Sequence, residues 1–205
     1  MAITSYSDLQ TSIASYLARS DLTAQIPDFI RLAELRLRRD LRIRQMLKSV
    51  TTSTVAGDET VELPSDFLEV RDFIVVGNHV QPLNYYSPSA FNRNTRYWEI
   101  GKPLDYTVLA NDFQLAPVPD AVYTVKMFYF AAPTFLSNTN TSNAFLANVP
   151  DALLYGALLE SAPYLMDDVR INTWGTMFDR AMASITRSDE QGKYSGVPLV
   201  IKTTL

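Results

Sequence analysis

Residues 26–44, IPDFIRLAELRLRRDLRIR, carry an apolar stripe and a basic face on the same run. Ile26, Ile30, Ala33, Leu37 and Leu41 recur at helical spacing, and Pro27 suits a first helical turn, so a helix is expected from near Pro27 to about Met46. Between residues 31 and 48 stand Arg31, Arg36, Arg38, Arg39, Arg42, Arg44 and Lys48 against Glu34 and Asp40. That stretch is net +5, which leaves −9 for the remainder of a chain whose total is −4. Glu34–Arg38 and Asp40–Arg44 are spaced i to i+4 with the acid first, the favourable order on an exposed helix face. The arginines are therefore expected mostly off the core stripe.

Upstream, Ser7 and Gln10 fit a capping box, and Leu9, Ile13, Tyr16 and Leu17 give residues 7–19 an amphipathic helical period. Downstream of Lys48 the period drops to two. Val61 and Leu63 alternate around Glu62, and Phe67 to Val76 runs apolar through Val70, Phe73 and Val75, so strands replace helices. Gly77-Asn78 marks a hairpin turn before Val80 to Leu83, and Asn111-Asp112 marks another between Tyr106 to Ala110 and Phe113 to Ala116. Val122 to Phe130 is expected to be the longest strand. Ser87-Pro88 through Arg93 reads as a short helix or ordered turn carrying Phe91, and Arg96-Tyr97-Trp98 as the start of a return strand. Residues 136–144, LSNTNTSNA, form a polar loop. Helical spacing resumes after Pro150 through Leu153, Leu154, Ala157 and Leu158 until Pro163 kinks or ends it. A last helix is expected over about Val169 to Gln191, with Trp174, Met177, Phe178, Ala181 and Ile185 on one face, before Gly192 and Gly196 release an extended tail.

These patterns define an α+β fold: a helical bundle made from N- and C-terminal helices, with an inserted antiparallel β-sandwich or barrel-like region of six or seven short strands. The expected division is a bundle of residues 1–47 and 149–192, a β-rich insertion of residues 48–148, and an extended arm of residues 193–205, gathered in one compact unit of two layers. The chain has 205 residues, 47% hydrophobic and 20% charged, a globular composition that argues against disorder. The polar start, Met1 to Ser12, lacks the features of a signal peptide, and no stretch reaches the roughly 18 apolar residues of a membrane span, so cytosolic synthesis and no membrane partner are expected.

The same totals remove much chemistry. There is no cysteine, hence no disulfide, thiolate nucleophile or Cys-ligated metal. His79 is the single histidine and sits beside a predicted turn, where it is assigned no role. Asp167-Asp168 could be a metal pair, but carboxylates at a helix junction more often cap the following helix. None of the seven glycines stands in a phosphate-binding motif. No catalytic, metal or cofactor-binding residue is assigned, and the expectation is a structural interaction protein. The basic helix is read either as a contact for an acidic partner surface or as a solvated face laced with ion pairs. DNA contact ranks below both because the whole chain is acidic. The aromatics Tyr85, Tyr86, Tyr97, Trp98, Tyr106, Tyr123, Phe128, Tyr129 and Phe130 are divided between core and binding surface.

Residues 26–44 resemble the N-terminal helix of the head-to-tail adaptor, or head-completion, proteins of short-tailed bacteriophages. Residues 115–129, LAPVPDAVYTVKMFY, resemble that family's strand after an alanine-proline turn, and residues 149–168, VPDALLYGALLESAPYLMDD, its following helix pair. The three segments fall in the same order over roughly residues 5–190. The resemblance implies a virion protein of the neck, made and assembled in the bacterial host cytoplasm, as a dodecameric ring under the portal that provides the attachment platform for tail proteins such as a nozzle, tube or fibres. It implies a bundle facing the ring and portal and a β region facing the tail, with DNA passing through the channel without specific binding. The candidate interface residues are Arg31, Arg38, Arg39 and Arg42 on the basic helix, and Val197, Leu199, Val200, Ile201 and Leu205 on the apolar tail, which is expected to dock on the portal. Competing readings are another virion component (tail, tube or decoration protein), a DNA-binding module through residues 27–46, and a cell-wall hydrolase using paired carboxylates.

Overall fold

The computed structural model describes residues 3–77, 79–93, 99–165 and 168–193. They divide into two compact units: residues 1–45 with 133–205, and residues 46–132. The expected single unit is thus two, and residues 133–148, assigned above to the β insertion, pack with the helices.

The helical unit is built on α1 (Tyr6–Leu17), α2 (Ile26–Asp40), α4 (Ala144–Asn148), α5 (Pro150–Glu160) and α6 (Arg170–Lys193). The α1 capping box lies two residues before the expected one: the Ser5 hydroxyl accepts the Asp8 N–H at 3.2 Å, and the Asp8 carboxylate accepts the Ser5 N–H at 3.0 Å. Leu9, Ile13 and Leu17 are buried together with Tyr6, whereas Tyr16 is 46% exposed. Ile26, Phe29, Ile30, Ala33 and Leu37 form the buried stripe of α2. That helix ends at Asp40, six residues short of the expected end. The cause is a change of apolar period: buried Leu41 and Ile43 flank Arg42 at a spacing of two, which an extended backbone satisfies and a helix does not. A 3-10 turn, Arg44–Met46, follows.

Helix α5 is the centre of the unit. Its apolar residues lie nearly all round, with Ala152, Leu153, Leu154, Gly156, Ala157 and Leu158 buried, and it packs against α1, α2, α4 and α6. It stops at Glu160, ahead of a 3-10 turn containing Pro163. Helix α6 buries Trp174, Phe178 and Ala181 as expected, and adds Asp189; Met177 is at the surface. The Asp168 carboxylate accepts the Arg170 N–H at 2.9 Å, which bears out a capping role for this residue, while Asp167 lies outside the described residues.

The β unit holds β1 (Leu47–Ser53), β2 (Thr60–Glu62), β3 (Phe67–Val76), β4 (Gln81–Pro82), β5 (Asn84–Tyr85), α3 (Pro88–Phe91), β6 (Asp105–Leu109), β7 (Asp112–Ala116) and β8 (Thr124–Ala131). Two four-stranded sheets, β1-β8-β3-β4 and β2-β7-β6-β5, are antiparallel except for the β5–β6 pair. Both expected hairpins form: β3 pairs with β4, and β6 with β7 through a turn in which Ala110 has φ 54°. The longest strand is β3, at ten residues against eight in β8, because register shifts near Phe67 and Val70 let β3 continue along its partner. Phe73, Val75, Val125, Met127 and Tyr129 of one sheet meet Val61, Tyr106, Phe113 and Leu115 of the other in one core. Phe73 and Phe113 stand 4.7 Å apart at its middle, and Phe73 meets Tyr106 edge-on at 5.2 Å.

Candidate interaction surfaces

Several arginines of the basic helix contact their own unit. Arg31 and Arg38, two turns apart on α2, both lie over the ring of Phe135, at 3.1 and 4.1 Å from its centroid. Between them Glu34 is buried, in place of the expected exposed pairing with Arg38. Its carboxylate accepts the Leu136 N–H at 3.1 Å and the Asn143 side-chain amide at 2.6 Å. Burial raises the Glu34 carboxyl above the ordinary carboxylate range, opposed by those two donors and by Arg31 and Arg38. Burial also lowers Arg38, assisted by the charge of Arg31 and countered by Glu34. Helix α2 thus anchors the 133–143 loop through one buried acid and one aromatic ring contacted by two guanidinium groups.

Arg36 and Arg42 are also engaged within the unit. Arg36 pairs with Glu160 at 2.9 Å, tying α2 to α5. The Arg42 guanidinium donates to the Arg38 and Leu41 carbonyls at 2.9 and 2.7 Å and so covers the acceptors that the end of α2 leaves open. The Arg44 N–H donates to the Asp189 carboxylate at 2.9 Å, and Lys193 reaches the same carboxylate at 2.7 Å. Asp189 is buried; burial works to raise its carboxyl, but Lys193 and the Arg44 N–H carry it below the ordinary range. Arg39 is exposed, as are its neighbours Leu32, at 46%, and Asp40.

Of the residues singled out in the sequence, the structure brings Arg31 and Arg38 together on Phe135, folds Arg42 back on its own helix end and leaves Arg39 outward. Val197, Leu199, Val200, Ile201 and Leu205 lie outside the described residues, as do Tyr97 and Trp98. Among the β-unit aromatics, Tyr106, Tyr129 and Phe130 are buried, while Tyr85 is 56% exposed. Glu34, Phe135, Asn143 and Asp189 were not foreseen. A signal existed for Glu34, which stands one turn after Ile30 on the apolar stripe; none marked Phe135, an aromatic at the edge of a polar loop.

Among the described residues no cluster of three or more His, Asp or Glu could hold a metal ion, and no helix is long and apolar enough to cross a membrane. His79 is exposed. In the helical unit a cleft of about 240 Å³ is lined by Ile43, Arg44, Asn148, Asp151, Ser184 and Asp189, a polar wall whose buried acid is already satisfied. In the β unit an open cleft of about 390 Å³ runs between the two sheets past Val50, Val61, Leu63, Phe73, Phe113 and Met127. The family model described as SU10 adaptor protein matches residues 4–201, spanning both units. No curated protein matches the chain.

Proposed function

Because the chain belongs to the SU10 adaptor protein family and is a bacteriophage structural adaptor, we propose that it forms a closed ring that binds the portal and gives the tail its attachment platform. The observation that carries this reading is the family match over residues 4–201, which includes every helix of one unit and every strand of the other. On this reading the helical unit faces the ring and the portal, and the β unit presents its turns to tail proteins. The ring is dodecameric, as the resemblance implies, and sits at the neck of the virion with DNA passing through it. Its subunit contacts are heterologous, one face of each copy meeting a different face of the next, the arrangement that closes by rotation.

The exposed face of α2 is the portion of the basic helix available for such a contact. Arg39 and Leu32 are its outward groups, Arg31 is exposed too although its guanidinium lies over Phe135, and Arg36, Arg38 and Arg42 spend their guanidinium groups within the unit. The test is to mix purified chain with assembled portal and image the product by electron microscopy. A single closed ring of twelve copies on the portal is the expected result, and tail proteins added afterwards should bind the ring and not bare portal. Filaments or tubes formed without portal, or binding to capsid shells lacking it, would overturn the reading in favour of a tail or decoration protein.

A further inference from the structure

Four strand edges close the two sheets, and three of them are guarded. Strand β2 has three residues, β5 two, and β4 two including Pro82. Short strands and proline are the ordinary means of keeping an edge from recruiting another chain. Strand β1 is different. It pairs with β8 without a shift of register from Leu47↔Phe130 to Ser53↔Thr124, carries no proline or bulge, and among the described residues no strand pairs with its outer side. Its one charged residue, Lys48, is held by Asp66 at 2.6 Å.

The direction of the free backbone groups follows from the ladder. The Thr54 N–H donates to the Tyr123 carbonyl at 2.9 Å, so this pair is a hydrogen-bonded one in the β1–β8 register. Hydrogen-bonded and non-bonded pairs alternate along antiparallel strands, which turns the N–H and C=O groups of Ser49, Thr51 and Ser53 outward. Beside them opens the cleft between the sheets, with Val50 and Thr52 of β1 on one lip and Val61 and Leu63 on the other. An added strand would therefore gain a line of backbone hydrogen bonds and, on alternate residues, an apolar seat.

The sequence contains a segment with that pattern. In residues 197–205, VPLVIKTTL, Val197, Leu199, Ile201, Thr203 and Leu205 fall on one face of an extended chain, apolar but for Thr203, and Pro198, Val200, Lys202 and Thr204 on the other. Nine extended residues span about 30 Å and the seven of β1 about 23 Å, so the lengths suit. We propose that the outer edge of β1 takes residues 197–205 of a second copy of this chain as an added strand, with the Val197, Leu199 and Ile201 face over the cleft between the sheets. Donor and acceptor are then different surfaces of one chain, as the ring reading, on which this inference rests, requires. It gives the apolar tail a destination other than the portal.

Because the sequence lacks cysteine, introduced thiols report contacts without background. Full-length Thr52→Cys and Ile201→Cys chains, whose thiols would share the cleft face, isotopically distinguished and mixed, are treated with a short bis-maleimide that tolerates a register shift of a residue or two. Mass spectrometry should find the two positions joined between differently labelled chains, and Leu199→Asp in the donor should reduce the joined fraction about tenfold or more. Thr51→Pro, which removes an outward N–H and spares the β8 ladder, should do the same in oligomers followed by sedimentation. A link found only within one chain carrying both thiols, or no link at all, overturns the inference. Rings on portal without the link would leave the ring reading standing and remove this one; the link without rings would do the reverse.

Discussion

The Asn143 side-chain amide donates to the Glu34 carboxylate at 2.6 Å while its own oxygen accepts the Leu146 N–H at 3.0 Å, so one residue both closes the loop on α2 and caps α4. A buried acceptor that serves two donors leaves both unsatisfied when removed, a loss of about 1–3 kcal/mol. Glu34→Ala is expected to lower unfolding stability by that amount and to release the 133–143 loop, seen as faster amide exchange at Leu136. Glu34→Gln should cost much less. The sign of the pH effect follows from burial raising the folded carboxyl: its charge costs stability above the folded pKa, and that cost is relieved as pH falls through it toward the ordinary carboxylate value. Denaturant midpoints of wild type should therefore show this rise against a flatter Gln variant. An Ala variant as stable as wild type would make the latch idle.

Asp189 behaves in the opposite sense. Lys193 and the Arg44 N–H hold its carboxyl below the ordinary range despite burial, so it contributes stability that is present above the unfolded carboxylate pKa and lost as pH falls through the folded one. Asp189→Asn should destabilise the helical unit at neutral pH and remove part of its acid sensitivity. Thermal melts between neutral and acid pH give the comparison, and identical pH slopes for the two proteins would refute the assignment.

Much of this fold was legible in the sequence because it rests on local period. The helices beginning near Pro27 and Pro150, the strand from Phe67 and the turns at Gly77 and Asn111 follow from apolar spacing and turn chemistry. The end of α2 was misplaced because Leu41 fits both a helical and an extended period, and only the burial of Ile43 decides between them. The arginine face was misread for a different reason. Charge in sequence does not say which way a long side chain turns, and the ring that receives Arg31 and Arg38 lies about a hundred residues away at Phe135.

Gly156 on α5 marks the closest approach of three helices. A Cβ there would stand 3.2 Å from the Ala33 Cβ on α2 and 3.3 Å from the Phe178 ring on α6. Ala33 cannot retreat without moving its helix, so a branched side chain must separate the helices. Gly156→Val is expected to destabilise by at least about 2 kcal/mol, overpacking outweighing the gain in helix propensity over glycine. Calorimetry of the full chain measures it; a variant melting at or above the wild-type temperature would show that the helices yield more easily than close packing implies.

Arg38 and Arg39 are sequence neighbours with opposite duties, and their exchange for alanine separates the two readings of the basic helix. The Arg38 guanidinium stacks on Phe135, so its loss removes cation–π contact and packing together. Arg38→Ala, like Phe135→Ala, is expected to lower stability by about 1–2 kcal/mol. Arg39 is exposed and should tolerate alanine within about 0.5 kcal/mol, and under the proposed portal contact its outward position makes it the member of the pair whose removal should weaken binding. Chemical denaturation and a portal-binding titration at two salt concentrations, run on both variants, decide the matter. Should Arg38→Ala leave stability untouched and abolish binding, the helix faces its partner with the residues assigned here to the interior. If instead neither variant alters binding at low salt, the contact surface lies elsewhere on the unit, since a charge at an interface rim reports most strongly when screening is weak.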